Sequence, residues 1–222
     1  MTGFAATAAL LADPARAAML SALLPGEALT AGELARVAGI TPSTASEHLA
    51  RLVDGQLLLL HRQGRHHYFR LAGEEVASML EVLGGLQARN GRAAWPHGEA
   101  FRTARLCWNH VAGRLGVALH ERLTARAWIA PAPGGWQATA EGTAGLAALG
   151  VTGAGECRDC MDWSERRPHL AGALGTAMAS AFQAGGWLRR PTPRADNPLD
   201  RRRLTLSPEG ARQLRETLGV AL

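Results

Sequence analysis

Lysine is absent from this chain of 222 residues, and all 24 of its basic residues are arginine. Nineteen acidic residues leave a formal net charge of +5, which fits a polyanionic partner without establishing one. The exclusive use of arginine, together with abundant alanine and glycine, indicates a GC-rich coding genome rather than a special chemistry.

Cysteine is scarce, and long apolar runs are missing. Three cysteines occur, an odd number that is too small for a disulfide framework and is typical of a reducing compartment. No apolar run approaches the length of about 18 residues that a membrane span needs, and the N-terminus lacks the basic start of a secretory signal. We therefore expect a cytoplasmic protein without a membrane partner, built as one large domain or two small ones.

The motifs of several enzyme classes are also missing. The chain contains no nucleophile elbow, phosphate-binding loop or H-E-x-x-H motif. Asp159, Asp162 and Glu165 are neighbouring carboxylates, and His169 lies near them in the sequence. Without one of these motifs around them, they do not predict an enzyme.

Residues 30–70 predict a helix-turn-helix followed by a β-hairpin. Residues 31–38 carry apolar side chains at helical spacing, and a tight Gly-Ile turn follows. Thr41 is a suitable N-cap and Pro42 a suitable first residue for a second helix, which extends to residue 52. This helix has one apolar face and opens with a short polar turn, as insertion into a DNA major groove requires.

The hairpin adds cations beside that second helix. Residues 56–61 and 67–71 predict two strands, and Gly64 suits the tip between them because glycine takes positive φ at low cost. Cations at such a tip can contact phosphates or enter the minor groove. The predicted DNA contacts are Thr41, Ser43, Thr44, Ser46, Glu47 and Arg51 on the helix, and Arg62, Arg65 and His66 at the tip.

Four segments within residues 10–85 carry a family resemblance. They are residues 11–20 (LADPARAAML), 32–35 (GELA), 43–52 (STASEHLARL) and 62–68 (RQGRHHY). In combination they resemble the winged-helix repressors of the ArsR type. The resemblance implies a homodimer that binds double-stranded operator DNA and releases it when an effector binds.

The remaining sequence divides at a break in pattern. Residues 76–88 predict a helix, which the resemblance assigns to the dimer interface. Residues 91–98 predict a linker between a DNA-binding and dimerisation domain (1–90) and a C-terminal effector or dimerisation domain (99–222). At the start of the second domain, residues 99–115 and 117–126 predict two helices.

A weak internal repeat lies in the second domain. Residues 127–151 and 186–220 each predict strand, turn, strand and then a helix that starts at a Thr/Ser-x-Glu-Gly motif. We therefore expect a mainly α fold with small β-wings (α+β), in which a winged helix-turn-helix precedes a domain of winged-helix-like units. Two ordinary hairpins with a chance similarity are the alternative.

Five residues are candidate ligands for zinc or another thiophilic metal or metalloid ion. They are Cys107 and His110, which share a face of the predicted helix, and Cys157, Cys160 and His169, which contain a C-x-x-C pair. A dithiol redox switch is a second interpretation. Packing of the cysteines as small apolar core residues is a third.

Two further segments, residues 105–119 and 160–174, resemble blocks of a long-form subgroup of the same family. If they pack side by side, Trp108 and Trp163 would line a small-ligand pocket, with core packing as the alternative for each tryptophan. The family's well-known metal sites do not carry over, because residues 33–38 hold no cysteine and residues 76–88 hold neither aspartate nor histidine.

The sequence thus predicts a homodimeric repressor that senses a metal, a metalloid or a small molecule through its C-terminal domain. The alternatives are a thiol-based redox regulator, and a DNA-binding or metal-binding module that does not control a promoter.

Overall fold

The computed structural model describes residues 3–64, 66–89, 98–153, 155–192 and 201–222. The chain forms two compact units. The N-terminal unit is Met1–Leu80 with Thr192–Arg201, and the C-terminal unit is Glu81–Pro191 with Arg202–Leu222. Of the predicted linker, residues 91–97 lie outside the described part of the chain.

The N-terminal unit is a winged helix-turn-helix, as the sequence predicts. Its helices are α1 (Gly3–Leu11), α2 (Pro14–Leu23), α3 (Ala31–Ala38), α4 (Pro42–Asp54) and the start of α5 (Glu74–Arg89). Its strands are β1 (Leu29–Thr30), β2 (Leu58–Gln63) and β3 (His66–Leu71), which form an antiparallel sheet in the order β1-β3-β2. The hairpin of β2 and β3 is the wing.

Local capping explains where the two central helices begin. Thr30 and Glu33 form a capping box at the start of α3, and Gly39 ends that helix in the left-handed conformation at φ 66°. At the start of α4 the Thr41 side chain accepts a hydrogen bond from the Thr44 backbone, with Pro42 in the first turn.

The C-terminal unit contains two copies of a hairpin–helix–hairpin–helix arrangement. The first copy is β4 (Arg105–Cys107), β5 (His110–Ala112), α7 (Gly113–Ala125), β6 (Ile129–Ala132), β7 (Gly135–Ala138) and α8 (Ala140–Ala148). The second copy is β8 (Cys157–Met161), β9 (Pro168–Ala171), α9 (Gly172–Ala184), β10 (Leu188–Arg189), β11 (Thr205–Leu206) and α10 (Pro208–Leu218). A short helix, α6 (Gly98–Thr103), precedes them.

The repeat is therefore longer than the sequence pattern indicated. The hairpin-and-helix segments 127–151 and 186–220 form the second half of each copy. The first half, another hairpin followed by a helix, is duplicated as well. Strands β6-β7-β8-β9 form one antiparallel sheet that joins the second hairpin of the first copy to the first hairpin of the second copy. Helices α7 and α9 supply much of the shared core, including Leu115, Leu174 and Phe182, each fully buried.

The predicted helix over residues 99–115 is wrong. Helix α6 ends at Thr103, and a two-stranded hairpin of β4 and β5 follows. The hairpin turn requires Trp108 at φ 59°, and α7 begins only at Gly113 with φ 79°. All six strand residues are buried, and periodicity does not separate a strand buried on both faces from a buried helix.

Among the described residues, no helix combines the length and the apolar character that crossing a bilayer would take.

Candidate nucleic-acid interface and metal-ligand cluster

Helix α4 buries one face and leaves the other open to solvent. Ala45, Leu49 and Leu52 are fully buried inside the N-terminal unit. The predicted contact residues Thr41, Ser43, Ser46, Glu47 and Arg51 are exposed, and Thr44 is half-buried. Burial of the apolar face fixes the helix, and the polar side chains of its first turns remain accessible to a ligand.

Hydroxyl groups at the start of α4 are held in place by one another. Thr41 Oγ1 lies 2.9 Å from both Ser43 Oγ and Thr44 Oγ1. Ser46 Oγ donates to the Pro42 carbonyl at 2.9 Å. Because each hydroxyl has one donor and two acceptor sites, this network orders the groups and leaves hydrogen-bonding capacity for bases or phosphates.

Of the three residues predicted at the tip of the wing, the structure describes the side chain of Arg62. Arg62 lies on β2, opposite His67 on β3, and its side chain is exposed. Gly64 takes φ 57° at the turn, as predicted. Arg65 and the side chain of His66 lie outside the described part of the chain.

Arg16 is a buried arginine whose role the sequence did not reveal. Its side chain donates to the carbonyls of Leu10 and Ala9 at the end of α1, at 2.6 and 2.9 Å. The same guanidinium lies 3.1 Å from His48 Nδ1 on α4. Arg16 therefore ties α1 and α2 to the helix with the exposed polar face, and it lies in the LADPARAAML segment that carried part of the family resemblance.

Four of the five predicted metal ligands come together in the C-terminal unit. The ligand atoms of Cys107, His110, Cys160 and His169 all lie within 4.8 Å of one another. The two Sγ atoms are 3.8 Å apart and the two Nε2 atoms are 3.2 Å apart. Cys107, His110 and His169 are buried, and Cys160 is partly buried.

Each copy of the repeat contributes one cysteine and one histidine to this cluster. Cys107 is paired with His110 across the hairpin of β4 and β5, and Cys160 is paired with His169 across the hairpin of β8 and β9. Directly opposed residues of an antiparallel pair project on the same face. The expectation that Cys107 and His110 share a helix face is thus corrected: they share the face of a hairpin.

Comparison with known proteins agrees with the N-terminal fold. A helix-turn-helix domain family matches residues 11–61. The HTH-type transcriptional regulator YdfF of Bacillus subtilis (strain 168) is 34% identical over 197 residues, which cover 84% of this chain and 87% of that protein. The chain belongs to the helix-turn-helix transcriptional regulators. This confirms the helix-turn-helix transcriptional regulator indicated by the sequence.

Two further matches each cover less than half of this regulator. The HTH-type transcriptional regulator YgaV of Escherichia coli (strain K12) is 30% identical over 73 residues, which cover 33% of this chain and 74% of that protein. The solved structure of HlyU from Vibrio cholerae N16961 is 27% identical, covers 39% of this chain and 92% of its own, and has a TM-score of 0.36.

Next to the cluster, the regulator buries an aspartate and an arginine together. Asp162 accepts from Arg105 Nη2 through both carboxylate oxygens at 2.9 Å. It also accepts from the Gly113 backbone at 2.6 Å and from Ser164 Oγ at 2.6 Å. Burial by itself would raise the pKa of Asp162, but the Arg105 charge and these hydrogen bonds hold that pKa well below its usual range.

The same carboxylate faces one of the clustered histidines. His169 Nδ1 lies 3.4 Å from Asp162 Oδ2, and His110 Nδ1 lies 3.4 Å from Asn109 Oδ1. Both Nε2 atoms are directed into the cluster, and each imidazole has a side-chain oxygen 3.4 Å behind its Nδ1; among the described residues, His169 Nδ1 makes no hydrogen bond. An oxygen at this position can orient the ring for metal binding through Nε2.

The two clustered thiols differ in acidity. The pKa of Cys160 is lowered, because its sulfur accepts a hydrogen bond from the Cys107 thiol and further ones from His110 and His169. The pKa of Cys107 is raised, because the same hydrogen bond holds its proton and because it is buried. Thiolate is the form in which sulfur binds metal ions, and the hydrogen bonds to Cys160 favour that form at its sulfur.

Cys157, the fifth predicted ligand, is not in the cluster. Its thiol donates to the Trp136 carbonyl at 3.4 Å, and burial raises its pKa to about 11. The two tryptophans predicted to line a pocket have different surroundings. Trp108 occupies the turn of the β4–β5 hairpin, and the Trp163 ring lies 4.9 Å from the Arg105 guanidinium carbon.

Proposed function

We propose that this regulator is a homodimeric repressor that binds operator DNA through α4 and the wing and is released by an effector bound in its C-terminal unit. The effector is a metal or metalloid ion, or a small molecule. The observation that supports operator binding is the exposed polar start of α4, held on a fully buried apolar face. A helix of this kind presents side chains to base edges.

Homodimer formation is supported by an apolar surface on α5. Val82 and Leu83 on this helix are exposed, Val82 by 57%. The ArsR-type resemblance assigns this helix to dimerisation. Burial of such side chains between two copies would also set the spacing of the two α4 helices, which must match half-sites about 34 Å apart on duplex DNA.

The effector proposal is supported by the ligand cluster in the C-terminal unit. A thiol-based redox switch is the second candidate, favoured by the 3.8 Å separation of Cys107 Sγ and Cys160 Sγ. A disulfide would require the sulfurs to approach to about 2.05 Å. The two imidazoles directed at the same point favour a metal ion over the redox switch, since a disulfide has no use for them.

Replacement of Arg62 by alanine is expected to weaken binding to all DNA sequences. Each lost phosphate contact reduces the slope of log K against log salt by about 0.9, so a dimer should lose about 1.8. The measurement is fluorescence anisotropy on a selected duplex at several salt concentrations. Arg212→Ala is the matched control, because Arg212 is exposed on α10 and carries the same charge; an equal loss of slope in both variants would contradict the wing assignment.

Replacement of Glu47 by glutamine is expected to change the base preference of the regulator. The slope of log K against log salt should stay the same as in wild type. A side chain that reads a base edge discriminates by about 1–3 kcal/mol, and an exposed carboxylate makes no favourable phosphate contact. The measurement is selection from a randomised duplex library by wild type and variant in parallel. Identical selected sequences would exclude Glu47 from base contact.

A further inference from the structure

The geometry points to a closed tetrahedral site for a zinc-type divalent ion, formed by Cys107 and His110 from one repeat copy and Cys160 and His169 from the other. This deepens the proposed function by naming the ligand class of the C-terminal unit. Only its regulatory consequence rests on that function, since ion binding is measurable without DNA.

The distances between like donor atoms match those around a tetrahedral ion. Two thiolate sulfurs at about 2.3 Å from zinc lie about 3.8 Å from each other, and two imidazole nitrogens at about 2.0–2.1 Å lie about 3.3–3.4 Å apart. The corresponding separations here are 3.8 Å between the sulfurs and 3.2 Å between the nitrogens. The sulfur–nitrogen pairs, which all lie within 4.8 Å, would close to about 3.5–3.6 Å around such an ion.

The donor types select the ion. Two sulfur and two nitrogen donors in tetrahedral array suit zinc, and they disfavour magnesium, calcium and manganese, which prefer oxygen donors. Four protein donors complete the coordination shell, so no position is left for a substrate. Two thiolates and two neutral imidazoles would also balance the charge of a divalent ion in a buried setting.

The symmetry of the cluster supports a shared site over chance packing. The sequence His-Val-Ala-Gly-Arg-Leu-Gly at residues 110–116 recurs as His-Leu-Ala-Gly-Ala-Leu-Gly at residues 169–175. The last glycine of each motif lies against the histidine of the other: a Cβ on Gly116 would be 3.2 Å from His169 Cβ, and one on Gly175 would be 3.1 Å from His110 Cβ. Each glycine lies even closer to the backbone of a strand residue in its own copy, Val111 or Leu170, so the two helix starts pack tightly both on their own hairpin and on the histidine of the other copy.

An ion at this point would bridge the two copies. Its two ligand pairs lie on separate hairpins, β4–β5 and β8–β9. Removal of a ligand from either copy should therefore have the same effect on ion binding. A site that belonged to one hairpin alone would respond to substitutions in that hairpin only.

The test is zinc content and cobalt absorption of the full-length chain. We expect wild type purified with zinc to hold about one ion per chain. Wild type stripped by a chelator and titrated with Co²⁺ should show the intense visible bands of a tetrahedral cobalt site together with thiolate charge-transfer absorption. Cys107→Ser and Cys160→Ser should each lose most of the zinc and weaken the charge-transfer band to a similar extent.

Cys157→Ser is the matched control and should bind zinc and cobalt like wild type. The wild-type cobalt spectrum decides the proposal even if a ligand variant fails to fold. Weak absorption typical of octahedral cobalt would overturn the site, as would loss of zinc in Cys157→Ser. If the stripped protein binds neither ion and mass spectrometry shows a Cys107–Cys160 disulfide, the metal site is wrong and the redox switch is favoured. A chain that holds the ion as expected but binds no operator DNA, even when the ion is removed, would leave the site standing and contradict only the proposed function.

Discussion

Replacement of Asp162 by asparagine is expected to destabilise the C-terminal unit by about 3–5 kcal/mol, the usual cost of removing one partner of a buried ion pair. Asp162 and Arg105 are both fully buried. Asparagine would leave the Arg105 charge without a counter-ion. Its amide group would also face hydrogen-bond donors, among them the Gly113 backbone.

Tryptophan fluorescence during urea unfolding of metal-free protein would measure this loss. All six tryptophans lie between residues 95 and 187, so the signal comes from the C-terminal part of the chain. Asp159→Asn is the control, because Asp159 is half-exposed and its loss should cost about 1 kcal/mol or less. Equal shifts of the two unfolding midpoints would show that the buried Asp162–Arg105 pair stabilises the unit no more than the exposed Asp159 does.

Asp162→Asn should also weaken zinc binding. Removal of an acceptor behind a ligating histidine typically costs about 10- to 100-fold in metal affinity, and Asp162 Oδ2 faces His169 Nδ1. The stability loss in metal-free protein separates the two effects, since it is measured where no ion is bound. A variant with wild-type zinc affinity would restrict Asp162 to the ion pair with Arg105.

The helix-turn-helix could be predicted because its signals are local. Thr41 and Pro42 mark the start of α4, and the helix begins there in the structure. Strand β2 lies two residues further along the chain than predicted, and β3 begins one residue earlier than predicted, because apolar runs define where a strand lies better than where it ends. Arg16 could not be assigned a role, since its partners on α1 and α4 are brought to it only by the tertiary fold.

The ligand cluster shows why residue spacing alone was insufficient. Cys157 and Cys160 are three positions apart on strand β8, so their side chains point to opposite faces and only one can join the cluster. Cys107 and His110 are also three apart, but a two-residue turn between them places them opposite each other on one face. The same spacing therefore has opposite consequences, and the difference depends on a turn that the sequence pattern did not reveal.

Zinc at saturating concentration is expected to weaken operator binding by about 5- to 150-fold, the usual range of coupling between an effector and a second ligand. The ion can do so only if it binds the DNA-free conformation more tightly than the DNA-bound one. By the same linkage, operator DNA must weaken zinc binding by an equal factor. Anisotropy titrations with and without zinc give the first factor, and competition with a metal indicator, with and without the duplex, gives the second.

Variants at the cysteines connect this response to the cluster. Cys107→Ser should bind the operator with the same affinity in the presence and absence of zinc, whereas Cys157→Ser should respond like wild type. If zinc fills the site of wild type and leaves operator affinity unchanged, the ion is structural and the effector of this regulator binds elsewhere. If zinc tightens operator binding, the sign of the proposed control is wrong, because the ion would then stabilise the DNA-bound conformation.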